Sequence, residues 1–131
     1  LVKSIDTNIF ELLNAINRFD TEAALRELNQ MYMANEPIPR IIFMIIRRIR
    51  LILSHKLYME KGYMPRQIQD KLGIKDYEFK IISGQARNFK SQDLEEMMKQ
   101  LLEMDIKIKT TSIDEKLLVE MFLIELCSKN K

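Results

Sequence analysis

The segment from Glu115 to Cys127 constrains the fold most, because it is apolar around almost its whole circumference. Beyond its first turn, only Glu120 and Glu125 interrupt the apolar residues. A helix of this kind cannot lie on a solvated surface, so it must be buried on several sides or pressed against another chain. An acid-rich amphipathic stretch over 91–109 and a polar hinge over 110–112 precede it. The pattern predicts that assembly with other chains is part of the function.

Length and composition predict one globular domain over residues 1–131. A chain of 131 residues is long enough for one core, and 47% hydrophobic with 31% charged residues is typical of a globular protein. The longest apolar runs are far shorter than the ~20 residues of a membrane span, so we expect a soluble chain with no membrane contact. Because the chain begins at Leu1 rather than Met, we interpret it as a piece of a longer protein.

Periodicity predicts helices throughout, and therefore an all-α fold. Asn8 followed by Glu11 is typical of a capped helix start, and Asp20 is expected to cap the second helix. Pro39 indicates the first turn of a third helix that runs to Gly62. Further helices are predicted from Pro65 to Gly73 and over 76–89, 91–109 and 115–127. We expect a single compact domain of about six or seven helices around a long central helix, whose apolar face comprises Ile41, Ile42, Ile45, Ile46, Ile49, Ile52, Leu53 and Leu57.

Few residues could carry chemistry. Cys127 is the single cysteine and His55 the single histidine, and with 3 glycines the chain has no Gly-rich phosphate loop. Many carboxylates lie four residues from a lysine, as Glu95 does from Lys99, which is typical of a solvated helix face. We therefore predict no catalytic, cofactor-binding or metal-binding residues, and no enzymatic activity in this chain.

Positive charge is concentrated in the middle of the chain. Residues 38–90 contain 12 basic and 4 acidic residues, whereas both flanking segments are acidic. Such a block suits contact with a nucleic acid, with an acidic neighbour, or head-to-tail packing of similar subunits. Alternatively, long arginines extend from the rim of a buried helix. The candidate phosphate contacts are Arg47, Arg48, Arg50 and Arg87.

The region from Gln67 to Ala86 has the spacing of a helix-turn-helix, with Gly73 in the turn. A DNA-reading second helix favours Arg, Asn or Gln at its exposed start, whereas this one begins Lys75, Asp76, Tyr77, Glu78. The pattern is therefore a weak indication of sequence-specific DNA reading.

The order of several short motifs resembles that of a known family. They comprise Asn8 to Leu12 with Ala15 and Ile16, the Pro39-led helix with Arg47, Arg48 and Arg50, then Ile68, Lys71, Leu72 and Gly73, then Gln85 to Arg87, and finally Leu101, Leu102, Asp105, Ile108, Lys109, Thr110, Leu117, Glu120 and Leu123. Taken together, over the whole chain, they resemble the C-terminal domain of the delta subunit of the bacterial DNA polymerase III clamp loader. The chain departs from the family at Thr111, where many members carry Gly.

The resemblance implies a helical collar domain that packs with the C-terminal domains of related clamp-loader subunits, delta-prime and gamma/tau. It implies a cytoplasmic bacterial protein that does not hydrolyse ATP and needs no cofactor. Contact with the sliding clamp would be made only through N-terminal AAA+-like domains, which are absent here. Primer-template DNA would lie near the assembled complex. We predict that Leu118, Met121, Phe122 and Glu125 face partner subunits, since the last helix is too apolar for one core to use every side. The alternative is a helical DNA-binding module that uses the basic segment 38–90.

Overall fold

A computed structural model of the chain describes residues 3–128, and the prediction of an all-α fold is confirmed. No strand is found in this range, which folds into seven helices: α1 (Ile5–Asn17), α2 (Thr21–Met33), α3 (Ile38–Glu60), α4 (Pro65–Leu72), α5 (Asp76–Ala86), α6 (Ser91–Thr110) and α7 (Glu115–Ser128). None of these helices is both long enough and apolar enough to cross a bilayer.

The described residues group into two compact units. One comprises residues 3–45 and 99–128, and the other comprises residues 46–98. The boundaries fall inside α3 and α6, so each of these two helices contributes to both units. The prediction that 1–131 acts as one domain stays a prediction.

In the first unit, α1 packs against α2, and α7 packs against both. The α1 cap differs from the predicted one. Ser4 is the N-cap, and its hydroxyl accepts a hydrogen bond from the Thr7 backbone N–H at 3.2 Å. Asn8 lies one turn further on and is buried, so it cannot cap the helix. The short Ser-x-x-Thr motif supplies the cap because a hydroxyl at that position reaches an otherwise unsatisfied backbone amide.

Asn8 instead takes part in a buried polar cluster between α1 and α2. Its side-chain amide donates to Glu27 Oε1 and to Gln30 Oε1, both at 3.1 Å. Lys3 Nζ lies 3.1 Å from the same Glu27 oxygen. Burying a carboxylate without partners is costly, and here a cation and an amide both satisfy it. The cluster therefore fixes how α1 is aligned against α2.

The buried face of α3 is rotated by roughly 50° from the predicted face, at 100° per residue. Ile46 and Leu53 are only half-buried, and Leu57 is 49% exposed. Arg48 and His55 are buried in their place. Each of these side chains finds a partner on α5, although the second ring nitrogen of His55, Nδ1, is buried without a hydrogen bond.

The second unit contains the predicted turn between α4 and α5. Pro65 begins α4, and Gly73 ends it with the left-handed backbone conformation, φ 67° and ψ 35°. The Gly73 N–H donates to the carbonyls of Gln69 and Asp70, which closes the helix. Gln69 then donates to Ile74 O and to Asp76 Oδ1, so the turn is fixed by side-chain hydrogen bonds.

Candidate interaction surfaces

The last helix is held on α2 by its first turn. Asp114 Oδ2 accepts a hydrogen bond from the Leu117 N–H at 2.9 Å, which caps the N-terminus of α7. One residue earlier, Lys116 Nζ lies 3.3 Å from Asn29 Oδ1 and 4.6 Å from the centre of the Tyr32 ring. These contacts join the first turn of α7 to α2, while the buried apolar residues of α7 define its rotation about its own axis.

With that rotation, α7 is apolar on two sides. Its inner side consists of the buried residues Leu118, Val119, Phe122, Leu123, Leu126 and Cys127. On its outer side, Leu117, Met121 and Ile124 are 47%, 54% and 46% exposed. These three positions fall within roughly 60° of one another at 100° per residue. We call them the α7 stripe; Ile113, which is 47% exposed, lies just before the helix.

The four residues predicted to face partners divide between the two sides of α7. Leu118 and Phe122 are only 5% and 6% exposed, so the chain's own core already covers them. Met121 and Glu125 are exposed and lie one turn apart on the outer side. Of the four predicted residues, Met121 and Glu125 are thus the ones that remain accessible to a partner, and their role stays a prediction; Leu117 and Ile124 are exposed on the same side.

Sequence reasoning missed Leu117 and Ile124, and also an exposed apolar pair on α6. Leu102 and Ile106 are 47% and 60% exposed and lie one turn apart. The adjacent leucines Leu101 and Leu102 carry a usable signal, since two neighbouring positions on a helix cannot share one narrow face. Leu101 is fully buried, which leaves Leu102 outside.

Two of the four candidate arginines are engaged inside the second unit. Both terminal nitrogens of Arg47 donate hydrogen bonds to the Glu78 carboxylate, at 2.6 and 3.0 Å. The hydrogen bonds from Arg47 hold the pKa of Glu78 below its usual value, against the opposing effect of burial. Arg48 is 4% exposed and donates to Gln85 Oε1 at 3.1 Å. These contacts tie α3 to α5.

The other two candidates, Arg50 and Arg87, are exposed. Arg87 follows the last residue of α5, and Arg50 lies on the outer side of α3. The start of α5 is less favourable to DNA, because Asp76 and Glu78 place carboxylates in its first turn, where a phosphate would otherwise be attracted. Of the four candidate arginines, Arg50 and Arg87 are therefore the two whose side chains remain exposed to a phosphate.

Among the described residues, no group of three or more His, Cys, Asp and Glu side chains could hold a metal ion. Cys127 is buried in α7.

Comparison with known proteins identifies the family. The family model for the C-terminal domain of the DNA polymerase III delta subunit matches residues 6–126. The DNA polymerase III subunit delta of Bacillus subtilis (strain 168) is 36% identical over 132 residues, which cover 100% of this chain and 38% of that protein. The chain thus spans well under half of that relative.

A solved structure gives the same result. The Bacillus subtilis DNA clamp loader delta protein (YqeN) matches with a TM-score of 0.86 at 35% identity, over 95% of this chain and 37% of that one. Its similarity covers both compact units, as does the family match. The chain belongs to the family of C-terminal domains of the DNA polymerase III delta subunit.

Proposed function

We propose that this chain is a non-catalytic oligomerisation domain of a clamp-loader delta subunit. It packs with the C-terminal domains of the other clamp-loader subunits, delta-prime and gamma/tau, and so assembles the complex that loads the sliding clamp in bacterial DNA replication. This function belongs in the cytoplasm. Contact with the sliding clamp is assigned to the N-terminal part of the longer protein, and primer-template DNA is expected near the assembled complex.

The α7 stripe is the observation that carries the proposal. Three large apolar side chains lie about half-exposed on one side of a helix whose other side is already buried. Contiguous apolar surface of this kind marks sites of protein association. Glu125, next to the stripe, adds a charge that favours a basic partner surface and orients the contact.

The test is size-exclusion chromatography with light scattering of this chain mixed with the other clamp-loader subunits of the same organism. We expect the wild-type chain to elute in a defined complex and Met121→Asp to elute alone, because a carboxylate cannot be buried in an apolar contact without a partner. Met64→Asp is the matched control, since Met64 is 65% exposed and lies in the other unit. Unaltered assembly of Met121→Asp would remove the α7 stripe from the interface.

A second candidate function is a helical DNA-binding module that uses the basic segment 38–90. It is favoured by the exposure of Arg50 and Arg87. The isolated chain would then bind a labelled primer-template duplex in a strongly salt-dependent manner. A flat fluorescence-anisotropy titration at low salt would eliminate this function and leave the assembly role intact.

A further inference from the structure

A pocket of about 430 Å³ lies within the second unit, between α3, the start of α4 and α5. Its volume falls within the range of about 300 to 1,000 Å³ that is usual for ligand sites. Met59, Pro65 and Phe79 supply apolar walls. Met59 is 54% exposed although it lines the pocket, so part of this wall is open to solvent.

The inner side of the pocket is polar but uncharged. His55 is 7% exposed, its Nε2 lies 3.0 Å from Ser83 Oγ, and its ring lies 5.6 Å from the Phe79 ring. Burial lowers the pKa of His55, and the positive charges of Lys56 and Arg87 lower it further. The imidazole is therefore neutral at neutral pH, so it does not attract an anion into the interior.

The charge lies at the rim instead. Lys56 Nζ donates a hydrogen bond of 3.1 Å to the carbonyl oxygen of Ala86, the last residue of α5. Arg87, which follows Ala86 in the sequence, is exposed. Glu60 is the one carboxylate among the residues that line the pocket, against these two cations. The entrance therefore carries a net positive charge above apolar walls.

We propose that this pocket binds a short acidic peptide segment of a partner protein, which inserts one large apolar side chain and pairs a neighbouring carboxylate with Lys56 and Arg87. A nucleic-acid backbone would use the two cations but leave the apolar walls in water. A purely apolar segment would use the walls but leave the net positive charge of Lys56, Arg87 and Glu60 uncompensated. An acidic segment with an apolar anchor is complementary to both. The site shares no residue with the α7 stripe, so it does not depend on the assembly role.

The probe is a fluorescein-labelled pentapeptide with a central Phe and two Asp residues on each side, titrated with the 131-residue chain by fluorescence anisotropy. We expect saturable binding. Two control peptides, one with Ala in place of Phe and one with Asn in place of every Asp, should each bind at least about tenfold more weakly. Equal binding of the Ala peptide would show electrostatic attraction without a pocket, and would overturn the proposal.

Substitutions in the protein, with the peptide unchanged, test the same site. Arg87→Glu and Met59→Ala should each weaken binding by about tenfold or more, while thermal melts remain unchanged because both side chains are exposed. The matched controls are Lys80→Glu and Met64→Ala, since both residues are exposed in the same unit and neither lines the pocket. Equal losses in variants and controls would refute the assignment, as would absence of binding at about 1 mM peptide. Displacement of the probe by unlabelled duplex DNA would assign the surface to nucleic acid instead.

Discussion

Phe122 and Met121 are neighbours in the sequence, yet the roughly 100° between them on α7 buries the first and exposes the second. Phe122 is buried, so Phe122→Ala leaves a cavity and should lower the free energy of unfolding by about 3 to 5 kcal/mol. Met121→Ala should change it by no more than about 0.5 kcal/mol, because Met121 is 54% exposed and lies outside the core. Urea unfolding of the two variants measures both values. A small loss for Phe122→Ala would contradict its place in the core.

Glu78 should make the stability of the chain depend on pH. Its pKa in the folded chain lies below the value of 4.5 usual for a glutamate, chiefly because Arg47 donates to its ionised form. The stabilisation is therefore fully present above about pH 4.5 and is lost as the pH falls through the lower, folded-state pKa.

Thermal melts between about pH 6 and about pH 3 test this dependence. At about pH 6 the melting temperature of the wild type should exceed that of Glu78→Gln, and this difference should disappear as the pH falls. In an Arg47→Gln background, the same Glu78→Gln change should have little further effect on the pH dependence, since the interaction has already been removed. A gap that stays constant with pH would contradict the assigned cause.

At the scale of elements, Gly73 and Gly84 should respond oppositely to alanine. At both Gly73 and Gly84 an added Cβ meets no atom within 4 Å, so neither substitution causes a clash with neighbouring residues. Gly73 ends α4 with φ +67°, where an L side chain costs about 1 to 2 kcal/mol. Gly84 lies inside α5, where Ala is favoured over Gly by about 0.5 to 1 kcal/mol. Urea midpoints should therefore fall for Gly73→Ala and rise for Gly84→Ala.

Most element boundaries could be predicted from local signals. Asp20 caps α2, Pro65 begins α4 and Gly73 ends it, as predicted, because each acts on its own backbone and needs no tertiary context. The predicted bounds of α6 and α7 differ from the observed ones by a single residue at the C-terminal end. The predicted end of α5 is less accurate. The apolar Phe89 extends the periodic pattern to residue 89, whereas the helix ends at Ala86.

The rotation of α3 and the contents of the pocket could not be predicted in the same way. Periodicity assigns arginine and histidine to the outside of a helix, because their burial is costly without partners. Whether partners exist depends on Gln85 and Ser83, which lie on another helix and about 30 residues away or more. For the same reason the sequence pattern offers Arg47 and Arg48 as phosphate contacts, whereas the structure shows both hydrogen-bonded to residues of α5.

At the scale of the whole molecule, the internal contacts of Arg47 and Arg48 leave Arg50 and Arg87 as the exposed candidates for contact with phosphate. If Arg50 and Arg87 supply the phosphate contacts, about two counterions are released. The logarithm of the duplex affinity should then fall with the logarithm of salt concentration at a slope of about −2 or shallower. Anisotropy titrations at several salt concentrations measure this slope, and Arg50→Gln with Arg87→Gln should flatten it. A much steeper slope would identify a basic surface larger than these two residues.

If the α7 stripe contacts a partner as proposed, the two apolar sides of α7 are under separate constraints. Substitutions on the inner side would then affect whether this chain folds, whereas those at Leu117, Met121 and Ile124 would affect whether the partner fits. Exchanging outer residues here, with compensating changes on the partner's surface, should therefore change partner choice without disturbing the fold. Such paired exchanges would yield orthogonal complexes that assemble side by side in one cell without mixing their subunits.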